Sequence, residues 1–343
     1  MTRGGAEQLI LHATDLAVRQ RDPHGAAELI NSGLHNVPPK TAHILRSARA
    51  VQLADSGHPQ KAVAVLDRVD QTEIGGIARA YYWQALTQAL SEFGQFDRTL
   101  VAASRGLSIE AAVPTHQCRI RIVEFAIGAA NSGHQANLAR AFIADHQDRW
   151  RDGSPLGESA AVALTALADL AAGEPATAAV ALDRALEGLD GLGESSGLRY
   201  RFTLASAEAL ARCGHTAAAV QRVDEFDAVR HPAFAYALPN EFVSRAWASA
   251  TAGDLATAGA LALQGADIAR QRGQLRRELT SLDAAVQFGA TSVAARRAAL
   301  TSRFRGYPRM SEIVAPEAIL ARAFITLPGM PPPTTPTSTP SRS

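Results

Sequence analysis

An all-α, right-handed solenoid of seven or eight helix pairs is the fold this sequence predicts, and three observations predict it. Alanine fills about a fifth of the 343 positions while aromatic residues make up 6%, a balance that favours helix because Ala has the best helix propensity and large β-formers are scarce. Glycines that end an apolar, Ala-rich segment recur at Gly57, Gly94, Gly133, Gly173, Gly214, Gly253 and Gly289, spaced 37, 39, 40, 41, 39 and 36 residues apart. Small residues keep two fixed offsets from them. Seven positions before stand Ala50, Thr87, Ala126, Ala166, Ala207, Ala246 and Leu282; five positions after stand Ala62, Thr99, Leu138, Ala178, Ala219, Ala258 and Ala294. Each set holds five alanines out of seven, and helices that cross closely need small residues at the crossing.

Taken in order, the chain opens with Asp22 in "RQRDPHGAAEL", 35 residues before Gly57, as the mark of a degenerate first copy. Each later unit reads as helix, tight turn at Gly, helix. Glycine suits the position that closes the first helix because it adopts the left-handed conformation without a Cβ penalty, so Gly133 and Gly214 are both expected there. Pro59 and Pro175, two residues beyond their glycines, suit the first turn of the second helix. Residues 1–326 form this repeat domain, and residues 327–343, "LPGMPPPTTPTSTPSRS", read as a disordered tail with no apolar pattern to fold around.

The third unit, "RAYYWQALTQALSEFGQFDRTLVAASRGL", places Trp83, Leu86, Thr87, Leu90, Gly94, Phe96 and Thr99 near the tetratricopeptide family's Trp, Leu, Gly, Tyr, Gly, Tyr and Ala positions. The chain therefore resembles a tetratricopeptide-type solenoid. Residues 240–325 resemble the helical-repeat region of large ATP-binding LuxR-type transcriptional regulators, where an Arg-containing long helix precedes a Leu-rich helix, a Gly turn and a final short pair. That resemblance implies a signal-sensing or partner-binding array linked to transcription. Neither the ATPase nor the DNA reader of those regulators is seen. The nearest match to a phosphate-binding loop, "LHNVPPKT", has Leu34 and Pro39 where both glycines belong, and without them backbone N–H groups cannot surround phosphates.

Other chemistry is weak. The Gly-His steps at His58, His134 and His215 are turn punctuation, since turns two repeats apart lie on the order of 20 Å from each other by helix-packing distances, whereas zinc holds nitrogen at about 2 Å. "GESSG", residues 193–197, matches the G-x-S-x-G elbow around Ser195, but the helical periodicity upstream denies it the strand the elbow needs. Cys118 and Cys213 alone make neither a disulfide framework nor a zinc site. No catalytic residue, cofactor or metal is expected. Arg270, Arg272, Arg276, Arg277, Arg296, Arg297, Arg303, Arg305 and Arg309 face only Glu278 and Asp283, a local excess of seven positive charges; without a stacking platform or groove-reading motif this predicts solvated helix faces rather than nucleic-acid binding.

With 47% hydrophobic and 20% charged residues and a net charge of +1, the chain reads as globular and unsteered toward nucleic acid or lipid. Its longest apolar stretch, "SAAVALTALADLAAG", is broken by Asp169. Neither a membrane span nor a secretory leader is expected, and a cytoplasmic location follows. What remains is binding of a protein or peptide partner, with an enzyme or small-ligand sensor holding a site in the concave groove as the alternative. The tetratricopeptide resemblance implies a site: the family's geometry turns residues 13, 10 and 6 positions before the turn glycine into the concave face. These are Tyr81, Gln84 and Gln88; Arg201, Leu204 and Glu208; and Asn240, Val243 and Trp247. The polar and aromatic ones are the candidate partner-binding residues.

Overall fold

The computed structural model describes residues 1–109, 116–133, 135–192 and 197–304. All regular elements among them are helical. Eight pairs follow one another: α1 (Arg3–Val18) with α2 (Pro23–Gly33), α3 (Pro39–Asp55) with α4 (Pro59–Leu66), α5 (Gly76–Glu92) with α6 (Phe96–Leu107), and α7 (His116–Ser132) with α8 (Ala136–Trp150). Then come α9 (Pro155–Ala171) with α10 (Pro175–Leu189) and α11 (Leu198–Arg212) with α12 (Thr216–Asp224). After the short α13 (Phe226–Val229) follow α14 (Leu238–Thr251) with α15 (Leu255–Arg272) and α16 (Leu275–Gln287) with α17 (Ala294–Phe304). The degenerate first copy is a full pair: Arg21 takes the left-handed position at φ 58° and Asp22 caps α2 by accepting from the Gly25 N–H at 2.8 Å.

Six of the seven spaced glycines close their helices in the left-handed conformation, with φ from 67° at Gly94 to 91° at Gly289. In each, the next residue's N–H reaches back five positions, as His58 does to the Leu53 carbonyl at 2.9 Å and His215 to Leu210 at 3.0 Å. The turn at Gly133 corrects the expected register. Gly133 donates to Ala129, four residues back, the bond that Ser56 and Cys213 make in their turns, and the five-back bond comes from Gln135 to Ala130. This turn therefore runs one residue late.

All seven residues at the first small-residue offset, from Ala50 to Leu282, have no exposed surface. The second set is fully buried at Ala62, Thr99, Ala178, Ala219 and Ala258. Leu138 is only half-buried while Ala139 beside it is fully buried, the same one-residue slip. Ala294, on the last helix, is exposed. Small side chains at these places let paired backbones approach, and Leu and Phe residues such as Leu164, Leu182 and Phe202 fill the space on either side.

The array curls until its late repeats meet its early ones. Helix α16 packs against α5 and α7, and the turn Pro232–Ala237 packs against α3. Gln60 Nε2 donates to the Gly273 carbonyl at 3.1 Å, and His231 Nε2 lies 2.8 Å from the Val18 carbonyl. Ala233 N–H donates to His231 Nδ1 at 3.2 Å; an amide can only donate, so Nε2 carries the ring proton and donates to Val18. The turn was hidden at the level of sequence because the Gly214-to-Gly253 spacing is ordinary. Helix α12 is cut to 9 residues, and the chain saved there dives into the interior. No described helix is long and apolar enough to cross a membrane.

Candidate ligand chambers

The inward turn carries Phe234 and Tyr236, 3% and 1% exposed. They divide the interior of the curled array into two chambers. Arg121 of α7 lies over both rings, with its guanidinium 4.9 Å from the Phe234 centroid and 5.1 Å from that of Tyr236. Arg201 of α11 also lies over Phe234, 5.2 Å from its centroid. The two arginines are bound to acids in turn: Arg121 to Asp55, and Arg201 Nε to Glu124 Oε1 at 2.9 Å, an oxygen that also accepts from the Tyr236 hydroxyl at 3.1 Å. Burial pushes the Asp55 carboxyl up, and Arg121 opposes the rise. Burial also works against charge on Arg121, but Asp55, Tyr236 and Glu124 together hold it above the ordinary arginine value. The network ties α3, α7, α11 and the inward turn together through its hydrogen bonds and ion pairs.

The first chamber, about 110 Å³, is walled by Ile10, Ala13, Val18, Ala48, Tyr81 and Phe234 among others, with the Asp55–Arg121 pair and Gln84 beside them. Cys118 also lines it, and burial pushes its thiol up to about 12. The second chamber, about 350 Å³, is more polar and is formed by the inward faces of α7, α11, α14 and α16. Glu208, which burial pushes up against the pull of Arg212, lies here, as does Trp247, which Arg212 covers at 5.5 Å from its centroid. Arg276 and Arg277 reach back to one carboxylate, Glu92 of α5, at 2.9 and 2.8 Å, and Arg277 Nη1 donates to Asn240 Oδ1 at 2.6 Å.

The seven candidate residues are placed as follows. Tyr81 and Gln84 line the first chamber, Arg201 lines both, and Glu208, Asn240 and Trp247 line the second. Gln88 is fully buried and accepts from Arg121 Nη2 at 3.3 Å. Four of the seven are therefore engaged inside the fold: Tyr81 shares a 2.7 Å hydrogen bond with Thr14, and Gln84, Gln88 and Arg201 are buried. Sequence reasoning missed Arg121, Glu124 and Arg276. The same offsets find them once the late turn is allowed for: counted from residue 134, Arg121 and Glu124 are 13 and 10 positions before, and Arg276 is 13 before Gly289.

Of the six arginines of the basic cluster whose side chains are described, Arg272, Arg276 and Arg277 turn inward. Arg276 and Arg277 bind Glu92, Arg272 donates to the Ala235 carbonyl, Arg296 pairs with Asp267 and Glu278, and Arg297 with Asp283. Arg270 is exposed. The side chain of Arg303, together with Arg305, Arg309, His134, Ser195 and the tail 327–343, lies outside the described residues. Among the described residues no three His, Cys, Asp or Glu side chains gather as a metal-binding group.

No protein-family model matches the chain, and no curated protein matches it. A solved structure, that of a Rap protein complexed with Competence and Sporulation Factor, superposes with a TM-score of 0.57 at 14% identity, covering 82% of this chain and 79% of that one. At that identity the likeness is one of fold. By its fold, the chain is an α-solenoid of consecutive helix pairs, similar to that of the Rap protein.

Proposed function

We propose that this chain is a non-catalytic repeat protein of the cytoplasm that binds a protein or peptide partner inside the curled solenoid, as a regulatory module related to the repeat region of LuxR-type regulators. One observation carries the reading: six of the seven concave-face residues line two interior chambers that the fold leaves open, and open polar-aromatic concavities are where binding energy concentrates. The Rap structure supports it, since a similar fold there is in complex with Competence and Sporulation Factor. The LuxR relation rests on the resemblance of residues 240–325, which take in most of α14 and all of α15, α16 and α17.

The non-catalytic reading is supported by how the interior's reactive groups are used. Asp55 and Glu124 are held by guanidiniums. A thiol pushed up to about 12 is not a nucleophile at neutral pH, and both ring nitrogens of His231 are committed to the backbone. Replacing Trp247 and Asn240 together by Ala tests the reading. Both are only half-buried, so circular dichroism should show an intact fold while capture of a partner from host extract weakens at least tenfold, about 1.4 kcal/mol. Unchanged capture by the folded double variant defeats it.

A small-ligand sensor is the second reading, favoured by the largely apolar first chamber. Its volume approaches that of cavities of about 150 Å³ that take up benzene. A melting-temperature rise with indole or benzene that Ala48→Phe abolishes is the result this reading expects.

A further inference from the structure

The wall of the first chamber carries a buried polar group that the fold leaves unused. Gln84 of α5 is 4% exposed and lines this chamber but not the second. Its carboxamide makes no hydrogen bond with any described residue. The polar groups around it are differently placed. Thr14 and Tyr81 share their 2.7 Å hydrogen bond, and Gln52 Nε2 donates to the Ala26 carbonyl at 3.0 Å. Arg49 Nη1 donates to Gln52 Oε1 at 3.3 Å, and its half-buried guanidinium keeps contact with solvent. Burial keeps the proton on Cys118, whose thiol is only a weak hydrogen-bonding group.

A buried amide without a partner is unfavourable, because the water it gave up on folding has not been replaced. An apolar side chain of the same size would fill the position without that cost. Gln84 therefore becomes favourable only when a complementary group enters the chamber. A carboxamide presents an acceptor oxygen and an N–H side by side, so its complement is the same edge reversed, a C=O next to an N–H. Opposite it, Ile10, Ala13, Val18, Ala48 and Phe234 offer dispersion contact alone. The buried charges of the chamber are already matched, Asp55 by Arg121 and Arg201 by Glu124, so a second ion brought in would disturb a pair rather than complete one.

We propose that the first chamber takes a small neutral molecule with an apolar body and one amide edge, an N–H beside a C=O, seated against the Gln84 carboxamide. The inference rests on the small-ligand reading of this chamber and names the class of ligand.

The test follows the melting temperature and ligand-observed NMR of the full-length protein with four compounds of equal heavy-atom count. 2-Pyrrolidinone carries the paired N–H and C=O, cyclopentanone a C=O alone, benzene neither, and cyclopropanecarboxylate a negative charge. The compounds differ in their own hydration, so the decisive quantity is how their affinity ratios change when Gln84 loses its amide. In Gln84→Met, a swap of similar volume, affinity for 2-pyrrolidinone relative to benzene should fall at least tenfold, about 1.4 kcal/mol. The unliganded variant should melt no lower than wild type, since the amide it lacks had no partner. Gln84→Leu repeats both measurements should the first variant fail to fold, and Ala48→Phe, which fills the chamber, should abolish binding of every compound. An unchanged ratio in the folded Gln84 variants overturns the amide anchor and leaves the small-ligand reading standing. Failure of all four compounds to bind folded wild type overturns both. A lower melting temperature in both Gln84 variants would show the amide to be bonded within the fold, and undiminished lactam binding by folded Ala48→Phe would place the lactam elsewhere; either removes Gln84 from the site. Cyclopropanecarboxylate binding wild type tenfold tighter than 2-pyrrolidinone overturns the choice of a neutral ligand and points to Arg49.

Discussion

Two stripes run along the first helices of the pairs, one seven residues before each turn and one thirteen. Both are buried, but they are buried for different reasons. The nearer stripe, from Ala50 through Ala126 and Ala207 to Leu282, is small, nearly all apolar and without exposed surface, because two backbones cross there. The farther one is apolar at Ile44 and Ala160, but its other five positions hold Tyr81, Arg121, Arg201, Asn240 and Arg276, which are polar and buried or half-buried. Burying a charge costs several kcal/mol unless it is paired, so the fold has had to supply Asp55, Glu124 and Glu92 opposite them. Burial alone therefore does not separate core from site in a curled solenoid. Polar chemistry under burial does.

The comparison is broken most forcefully at Arg121. Arg121→Ala should cost about 3–5 kcal/mol in chemical denaturation, because it strands Asp55 and takes the guanidinium away from Phe234 and Tyr236. A loss below about 1 kcal/mol would mean the inward turn is held by something else. At the crossing stripe the failure is one of volume: Ala207→Leu should cost about 1–3 kcal/mol by overpacking while leaving ligand binding in the remaining folded protein unchanged.

The turns supply a smaller and sharper contrast. Gly214 has φ 78° and Gly133 stands one step earlier in its turn, bonded as a helix end. Gly214→Ala should thus cost about 1 kcal/mol of left-handed strain. Gly133→Ala should change stability by less than about 0.5 kcal/mol, since its Cβ would meet nothing closer than the Ala130 carbonyl at 3.4 Å. Equal losses in the two variants would return Gly133 to the regular register.

These contrasts also show how far the amino-acid sequence could be read. The eight pairs and the crossing residues were legible because glycine and alanine report directly on backbone geometry, and their offsets repeat. The interior was legible only in part. The offsets that picked out Tyr81, Gln84, Arg201, Glu208, Asn240 and Trp247 led to residues that line the chambers, yet a single slipped turn concealed Arg121 and Glu124. The inward turn escaped altogether, because its residues were drawn from a shortened α12 at no change in repeat length. Its local trace was there in "HPAFAYALP", two prolines bracketing Phe234 and Tyr236 at alternate positions, a pattern at odds with an uninterrupted helix. The pairing of Glu92 with Arg276 and Arg277 spans more than 180 residues, and no local pattern encodes such a contact.

The smallest expected effect is a pH dependence that separates the inward turn from the rest of the array. His231 is 1% exposed, with Nδ1 accepting from Ala233 and Nε2 donating to Val18. Burial depresses its pKa from 6.5, Arg21 and Arg201 add to this, and the Val18 carbonyl opposes it. The unfolded chain therefore takes up the proton before the folded one does, and stability is lost as pH falls from about 6.5 toward the lower folded value. A proton forced onto Nδ1 would also displace the Ala233 N–H and loosen the turn that carries Phe234 and Tyr236. Burial likewise depresses His58 and His146, and the raised Asp55 and Glu208 carboxyls act in the opposite sense, so His231→Gln should reduce the loss of stability in acid without accounting for the whole of the wild-type slope. Urea midpoints measured from pH 7.5 to 5 on wild type and His231→Gln decide the matter. Parallel curves would show that His231 does not titrate with unfolding and that the turn is indifferent to acid.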